Sequence, residues 1–490
     1  MTPKQPIVAT YFGSLELRNV RCFGDRQRLD LRNDNGELSQ WTLILGDNGS
    51  GKTTLLQCLV WMRPVIVDDL GGSEGGDVEE PEEPRDPNPP IRIGILGPAL
   101  TEENNETVEQ LLRINGKLDL QISAAIYQGE KLSFNSQPKG KKVETKIRAT
   151  FDSKKLLKSF DSNRIDIQSD MKERFWEPFI IAYGANRQMG FQNVSNTDLE
   201  DPLAARLSEV TELYDAVERL TKLHHAALDQ KSKSGEDSKD DKSASVEERL
   251  LTTFKQALVE ILPDEILSTE AIEIDAPRLV DGVLKESQVK IRSLSRHVPF
   301  SYLSLGYQTT LAWTLDLSWR LFNRYPNSIN PLEEPAIVLI DEIDLHLHPL
   351  WQWQIMRKLA NVFKRTQFIA TAHSPLMVQS MPNSNFAVVQ KSNDAIIIEN
   401  NPERVRGWRV DQILNSEYFG LPVSRPPETE KLFKERSQLL LKLKRSKAEE
   451  RRLKQLEQQI LALPTAGITE EREAFKLLKQ ATQLLKSKKA

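Results

Sequence analysis

At 490 residues the chain is long enough for two or three domains, so core size excludes no fold class. With 39% hydrophobic and 28% charged residues and a formal net charge of −4, it has the make-up of a soluble globular protein without an overall basic bias. No apolar run reaches the ~18 residues of a membrane span, and MTPKQPIVAT lacks the basic-then-apolar pattern of a signal peptide. Two cysteines, Cys22 and Cys58, are too few for a disulfide framework or a cysteine zinc site. The expected location is the cytoplasm, with both thiols reduced.

Residues 11–47 alternate apolar and polar positions in FGSLELRNV, QRLDLR and QWTLILG. This rhythm predicts paired strands, the third continuous enough to be buried on both faces. GDNGSGKTTLLQCLVWM then reads as a glycine loop feeding a helix. Residues 67–90 hold mainly Gly, Pro, Asp and Glu, which predicts an acidic mobile loop. Strand alternation resumes over 91–151, and FIIAYGANR predicts a buried strand ending at Gly184. The N-terminal part of the core is therefore bounded at 1–203.

Residues 204–262 predict a helical insertion, with TELYDAVERLTKLHHAAL and VEERLLTTFKQALVEIL as helices and a flexible link over 229–248. Residues 263–424 predict the second part of the core. It contains strands over 271–300, the helix opened by YLSLGYQTTLAW, the strand of AIVLIDE, a helix from Leu350 to Phe363, and the strands of TQFIATAHS, FAVVQK and AIIIEN. The repeated strand, helix, strand order implies an α/β fold with a largely parallel sheet. Residues 425–490 form a basic helical extension, with seventeen Lys/Arg against nine Asp/Glu. Two roles stay open for it: a surface for a partner or oligomer, or a stripe for duplex DNA.

Gly46 to Thr53 satisfies G-x-x-x-x-G-K-[ST]. Such a loop turns the backbone N–H groups of Gly46, Asp47, Asn48, Gly49, Ser50 and Gly51 around phosphate oxygens, and the helix N-terminus at Thr53 and Thr54 adds partial positive charge. Lys52 is then the β/γ-phosphate ligand of ATP and Thr53 a ligand of Mg²⁺. AIVLIDE places Asp341 and Glu342 at the carboxyl end of a buried strand, where Asp341 can complete the Mg²⁺ shell and Glu342 can take a proton from water. His373 ends another strand on that same edge and is a γ-phosphate contact. His346 and His348 lack a third ligand at sensible spacing, and a turn accounts for them as well as a metal does.

Ser304 and Gly306 at a helix start make a second anion site. LSLGYQ, which also includes Gln308, resembles the LSGGQ signature of ABC ATPases, with Leu305 in place of the first glycine. The order of glycine loop, insertion, signature, acidic strand, a D-loop-like DLHLHP starting at Asp344, and histidine resembles the RecF/SMC/Rad50-related branch. YGANR at 183–187 and RVDQILNSEYFGLPVSRPPETEKL at 409–432 resemble the PtuA-type ATPases of Septu and retron anti-phage systems, which work with an HNH nuclease. The resemblance implies an ABC ATPase head that dimerises head to tail around ATP and Mg²⁺, with Ser304, Gly306 and Gln308 of one copy closing over Lys52 and Thr53 of the other. It implies a partner nuclease and no membrane. After His373 the sequence offers only a few strands before the charged helices, with no acidic strand-end cluster, so no nuclease centre is expected in this chain. A RecF-like clamp that binds duplex DNA in repair or maintenance is the alternative.

Overall fold

The structure is a computed structural model that describes residues 7–67, 91–95, 119–151, 157–162, 165–167, 177–189, 211–213, 216–233 and 245–262. It further describes 268–414 apart from 276, 281–282, 286, 294–295, 382–383, 393–394 and 403–407, then 416, 427–442 and 446–462. The acidic stretch beyond Val67, the centre of the Lys/Ser/Asp link and the last predicted helix lie outside the described residues. The chain divides into two compact units, Met1–Ile413 and Leu414–Ala490.

Long apolar runs set the first unit. Trp41–Gly46, Ala336–Ile340 and Thr366–Ala372 are buried at every position, as strands covered on both faces must be. They lie in a six-stranded sheet ordered Ile180–Tyr183, Ala336–Ile340, Thr366–Ala372, Trp41–Gly46, Asn385–Ser392, Ala395–Asn400. All neighbours are parallel except the last pair, a hairpin. Trp41 stacks on its cross-strand neighbour Phe368, ring centroids 4.3 Å apart. An antiparallel five-stranded sheet, ordered Gln27–Asp30, Ala9–Arg18, Asp119–Gly129, Lys141–Phe151, Leu157–Ser162, faces it. The fold is thus mixed α/β, with a parallel core sheet and an antiparallel second layer.

The helix Lys52–Trp61 belongs to the core shared by the two sheets. Its Leu55, Leu56, Cys58 and Leu59 are buried in one cluster with Ile44 and Ile369 of the core sheet and Phe12, Leu15 and Ile122 of the antiparallel sheet. Its polar residues Lys52, Thr53 and Thr54 are confined to the first turn, next to the glycine loop, and Gln57 accepts from Arg21 Nη1 at 2.8 Å, so the rest of the helix can be apolar. Gln367, fully buried, ties the layers further: its side-chain amide accepts from Phe12 N–H at 2.9 Å and donates to Phe12 C=O at 2.8 Å. It thereby satisfies backbone groups beside the irregularity in the Ala9–Arg18 strand between Phe12 and Ser14.

The helix Leu305–Arg324 is fastened to the sheet edge by a buried polar group. Tyr183 Oη donates to Asp316 Oδ2 at 2.7 Å, and Arg320, one turn on, donates through Nε at 2.7 Å and Nη2 at 3.1 Å to the same carboxylate. The insertion lies against this helix. Phe254, from Val246–Ile261, packs near-parallel to Trp319 at 6.2 Å, and Arg219, from Ala216–Lys233, sits 5.2 Å over the Trp319 ring.

Two elements differ from the sequence expectation. The first insertion helix is Ala216–Lys233: it begins after Thr211, because Thr211–Leu213 is taken as a parallel strand partner by Arg187–Met189, and it continues to Lys233, into the stretch 229–248 expected as a flexible link. The single helix expected from Leu350 to Phe363 is two, Pro349–Gln352 and Ile355–Val362. Trp351, on the first of these, is buried edge-on against Tyr307 at 4.3 Å.

The second unit contains the helices Pro427–Leu441 and Lys447–Ala462. They pair as a hairpin: Arg452 forks onto both carboxylate oxygens of Glu435 at 2.8 Å, and Lys442 reaches Glu449 at 2.6 Å. These pairs are exposed and each adds little stability, but they occupy charges within the hairpin itself.

Replacing Gln367 with Leu keeps the volume and leaves both Phe12 backbone groups unpaired in the interior. The expected cost is about 2–5 kcal/mol, read as a clearly earlier thermal unfolding midpoint. An unchanged midpoint would show that this side chain does not tie the layers together.

Candidate active site

Strand register gathers the chemistry at one edge. Leu45 pairs with Ala372, and Ile340 pairs with Tyr183 and Ala370. Gly46, Asp341, His373 and Gly184 therefore all leave the parallel sheet at its carboxyl end, where ligands of such sheets bind.

The phosphate loop needs its glycines for two separate reasons. Gly49 has φ +73° with open space around it, so backbone conformation alone selects glycine there. Gly51 has φ +94°, and a Cβ on it would come 2.4 Å from Cys22 Sγ. Asp47, Asn48 and Gly49 form the exposed crest, while Ser50 is buried with a hydroxyl that has no hydrogen-bond partner. Gly51, the residue before the helix, offers no side-chain cap, so first-turn N–H groups stay available to an anion.

Lys52 is buried and donates to Gly46 C=O at 2.9 Å and Asp47 C=O at 2.8 Å. Burial lowers its pKa, against the upward pull of Asp341, Glu342, Asp47 and Asp344. Thr53 Oγ1 donates to Asp341 Oδ2 at 2.7 Å. Thr371 Oγ1 donates to the other oxygen, Oδ1, at 2.5 Å and accepts from Glu342 N–H at 2.7 Å. Glu342 Oε1 lies 3.9 Å from His373 Nε2, too far for a direct hydrogen bond. The His373 turn is set by Asp344, whose Oδ2 accepts from His373 N–H at 3.0 Å and Ser374 N–H at 2.7 Å. Thr54 accepts from Arg21 Nη1 at 3.2 Å.

Arg187 is buried beneath the carboxylates. Its Nη1 donates to Asp341 C=O at 3.0 Å and its Nη2 to Glu342 C=O at 2.8 Å. Burial pulls its pKa down to about 10, opposed by Asp341, Glu342, Asp344 and Tyr183. Lys52 and Arg187 thus set two cations among three carboxylates.

Ser304, Gly306 and Gln308 stand apart from this cluster and, among the described residues, make no hydrogen bond to the phosphate loop. Ser304 precedes the helix as an exposed residue whose side chain makes no cap bond. Gly306 is buried, and a Cβ there would lie 2.2 Å from the His346 carbonyl oxygen. Close packing accounts for this glycine within a single chain. Gln308 Nε2 donates back to Ser301 C=O at 2.9 Å and Leu303 C=O at 2.7 Å, fixing the turn. His348 accepts from Leu350 N–H through Nδ1 at 3.3 Å, and His346 has φ +64° at the turn.

Thr371 and the role of Arg187 were not legible as site residues, and Asp344 was legible only as the first residue of the D-loop-like DLHLHP. Thr371 carried one signal: it lies two residues before His373, on the strand expected to end at the site.

A phosphate loop at the carboxyl end of a parallel sheet, beside an acidic strand end, defines a P-loop nucleotide-binding protein. The chain belongs to the AAA ATPase domain family, which it matches over residues 12–378. It is 33% identical over 175 residues to the Septu protein PtuA of Bacillus mycoides (strain KBAB4), covering 35% of this chain and 24% of that protein. It is 34% identical over 211 residues to the "Retron Ec83 probable ATPase" of Escherichia coli, covering 43% of this chain and 36% of that protein. The chain thus spans well under half the length of these curated relatives. Among solved structures, the SMC head domain from Thermotoga maritima aligns over 79% of this chain and 98% of that one, at TM-score 0.37 and 13% identity.

The oxygen donors Thr53 and Asp341, hydrogen-bonded to one another, suit a hard cation such as Mg²⁺. Replacing Thr371 with Val removes the hydroxyl that aligns Asp341. ATP affinity in Mg²⁺ is expected to fall about 10-fold or more, with little change in EDTA. Equal titration curves for the variant and the unaltered protein in Mg²⁺ would remove Thr371 from this role.

Proposed function

We propose that the protein binds and hydrolyses ATP at this site as the ATPase subunit of an anti-phage defence complex. The observation that carries the catalytic part is the continuous bonding of Thr53, Asp341, Thr371 and Glu342 beside Lys52. Lys52 exchanges the Gly46 and Asp47 carbonyls for β- and γ-phosphate oxygens, which are stronger, charged acceptors. Backbone N–H groups from Gly46 to Thr54 surround the phosphates. Thr53 and Asp341 would hold Mg²⁺, which when bound neutralises phosphate charge. Glu342 takes the proton of the attacking water, and His373 contacts the γ-phosphate.

In this reading two copies associate head to tail. Support comes from the exposure of Ser304, Leu305 and Tyr302 at the start of the Leu305–Arg324 helix, which leaves that helix end open to a second head. The defence role is supported by the likeness to a Septu PtuA and a retron ATPase. The partner in this reading is an HNH-type nuclease whose activity follows the nucleotide state, and the complex works in the cytoplasm. The alternative of a RecF-like DNA clamp draws on the basic tail. Within the described hairpin Arg452 and Lys442 are already bound to Glu435 and Glu449, which leaves those two charges less available to DNA phosphates.

Glu342→Gln is expected to slow ATP turnover by roughly 10²- to 10⁴-fold while sparing ATP binding, and Lys52→Ala to lose binding itself. Unchanged turnover in the first variant, or normal binding in the second, contradicts the assignment. The mass of the native complex after co-expression with neighbouring genes tests the partner. A nuclease in fixed stoichiometry is expected, whereas a lone ATPase that shifts only with duplex DNA and ATP together would favour the clamp.

A further inference from the structure

We infer that Arg187 is a positioning residue for Glu342, holding the strained backbone on which that carboxylate is mounted. The inference rests on the reading of Glu342 as the base. Glu342 has φ +48°, the left-handed region that a side-chain-bearing residue adopts only at a cost. Such a conformation persists where surrounding contacts over-determine it. Here the peptides on both sides of Glu342 are gripped. Thr371 Oγ1 takes the Glu342 N–H at 2.7 Å, Arg187 Nη2 gives to the Glu342 C=O at 2.8 Å, and Arg187 Nη1 gives to the preceding C=O of Asp341 at 3.0 Å.

The planar fork of a guanidinium spans two successive carbonyls, whereas a lysine ammonium is a compact point charge on a flexible stem. A buried cation is costly unless it is paired, and this one meets two carbonyls in the field of neighbouring carboxylates. Nothing in phosphate binding requires it, since its two terminal nitrogens are directed at backbone. Its role is therefore to fix where the Glu342 side chain starts. The strand Arg187–Met189 pairs with Thr211–Leu213, the last strand before the insertion helix Ala216–Lys233, so the grip on Glu342 begins on the ribbon that leads into the insertion.

The test is a double-mutant cycle in the full chain, reading steady-state and single-turnover ATP hydrolysis together with nucleotide affinity. Arg187→Met is expected to lower kcat about 10- to 100-fold with affinity for a fluorescent ATP analogue unchanged, and Arg187→Lys to fall between it and the unaltered protein. In the Glu342→Gln background, either Arg187 change should cause no further loss, because the group it positions is already gone. Losses that multiply across the cycle, or affinity falling in step with kcat, overturn the inference and make Arg187 a general scaffold residue. Should Arg187→Met not fold, Arg187→Lys carries the same comparison. If Glu342→Gln alone leaves turnover intact, the reading of Glu342 fails instead, an outcome distinct from a multiplicative cycle.

Discussion

The Asp341 carboxylate is the point on which the site turns. One of its oxygens is bound by Thr53 at the start of the phosphate-loop helix, the other by Thr371 near the end of the His373 strand. A single side chain thereby sets the spacing between two elements far apart in sequence, and through Thr371 it also sets the backbone of Glu342. The strands that deliver these groups are buried on both faces, so their ends cannot shift without opening the core. Precision at the site is in this sense a property of the apolar sheet.

Charge balance is the second constraint. Asp341, Glu342 and Asp344 crowd one sheet end, and Lys52 and Arg187 offset them from opposite roles. Lys52 is lodged on loop carbonyls that a phosphate can outcompete, whereas Arg187 is locked on the backbone of the carboxylates themselves. The first cation can change partners when a ligand arrives. The second is built to stay.

Much of this was legible in the sequence because it rests on local patterns. The fixed positions of Gly46 to Thr53 follow from loop geometry, and the apolar run ending in Asp341 and Glu342 follows from burial on two faces. What stayed hidden depended on tertiary pairing. Thr211–Leu213 reads as helix until Arg187–Met189 is known to lie beside it, and Leu350 to Phe363 reads as one helix until Trp351 is placed against Tyr307. Thr371 is an ordinary strand residue until Asp341 is found within reach of its hydroxyl. Gly306 was read as a phosphate contact, yet its lack of a side chain has a cause within the chain, the His346 carbonyl.

The most direct test is a structure of the protein with Mg²⁺ and a non-hydrolysable ATP analogue. The account predicts Lys52 Nζ moved from the Gly46 and Asp47 carbonyls onto β- and γ-phosphate oxygens, Thr53 and Asp341 as the residues that hold the metal, and Arg187 still on the Asp341 and Glu342 carbonyls. Nucleotide bound elsewhere, or Lys52 still on its loop carbonyls with phosphate present, would contradict it.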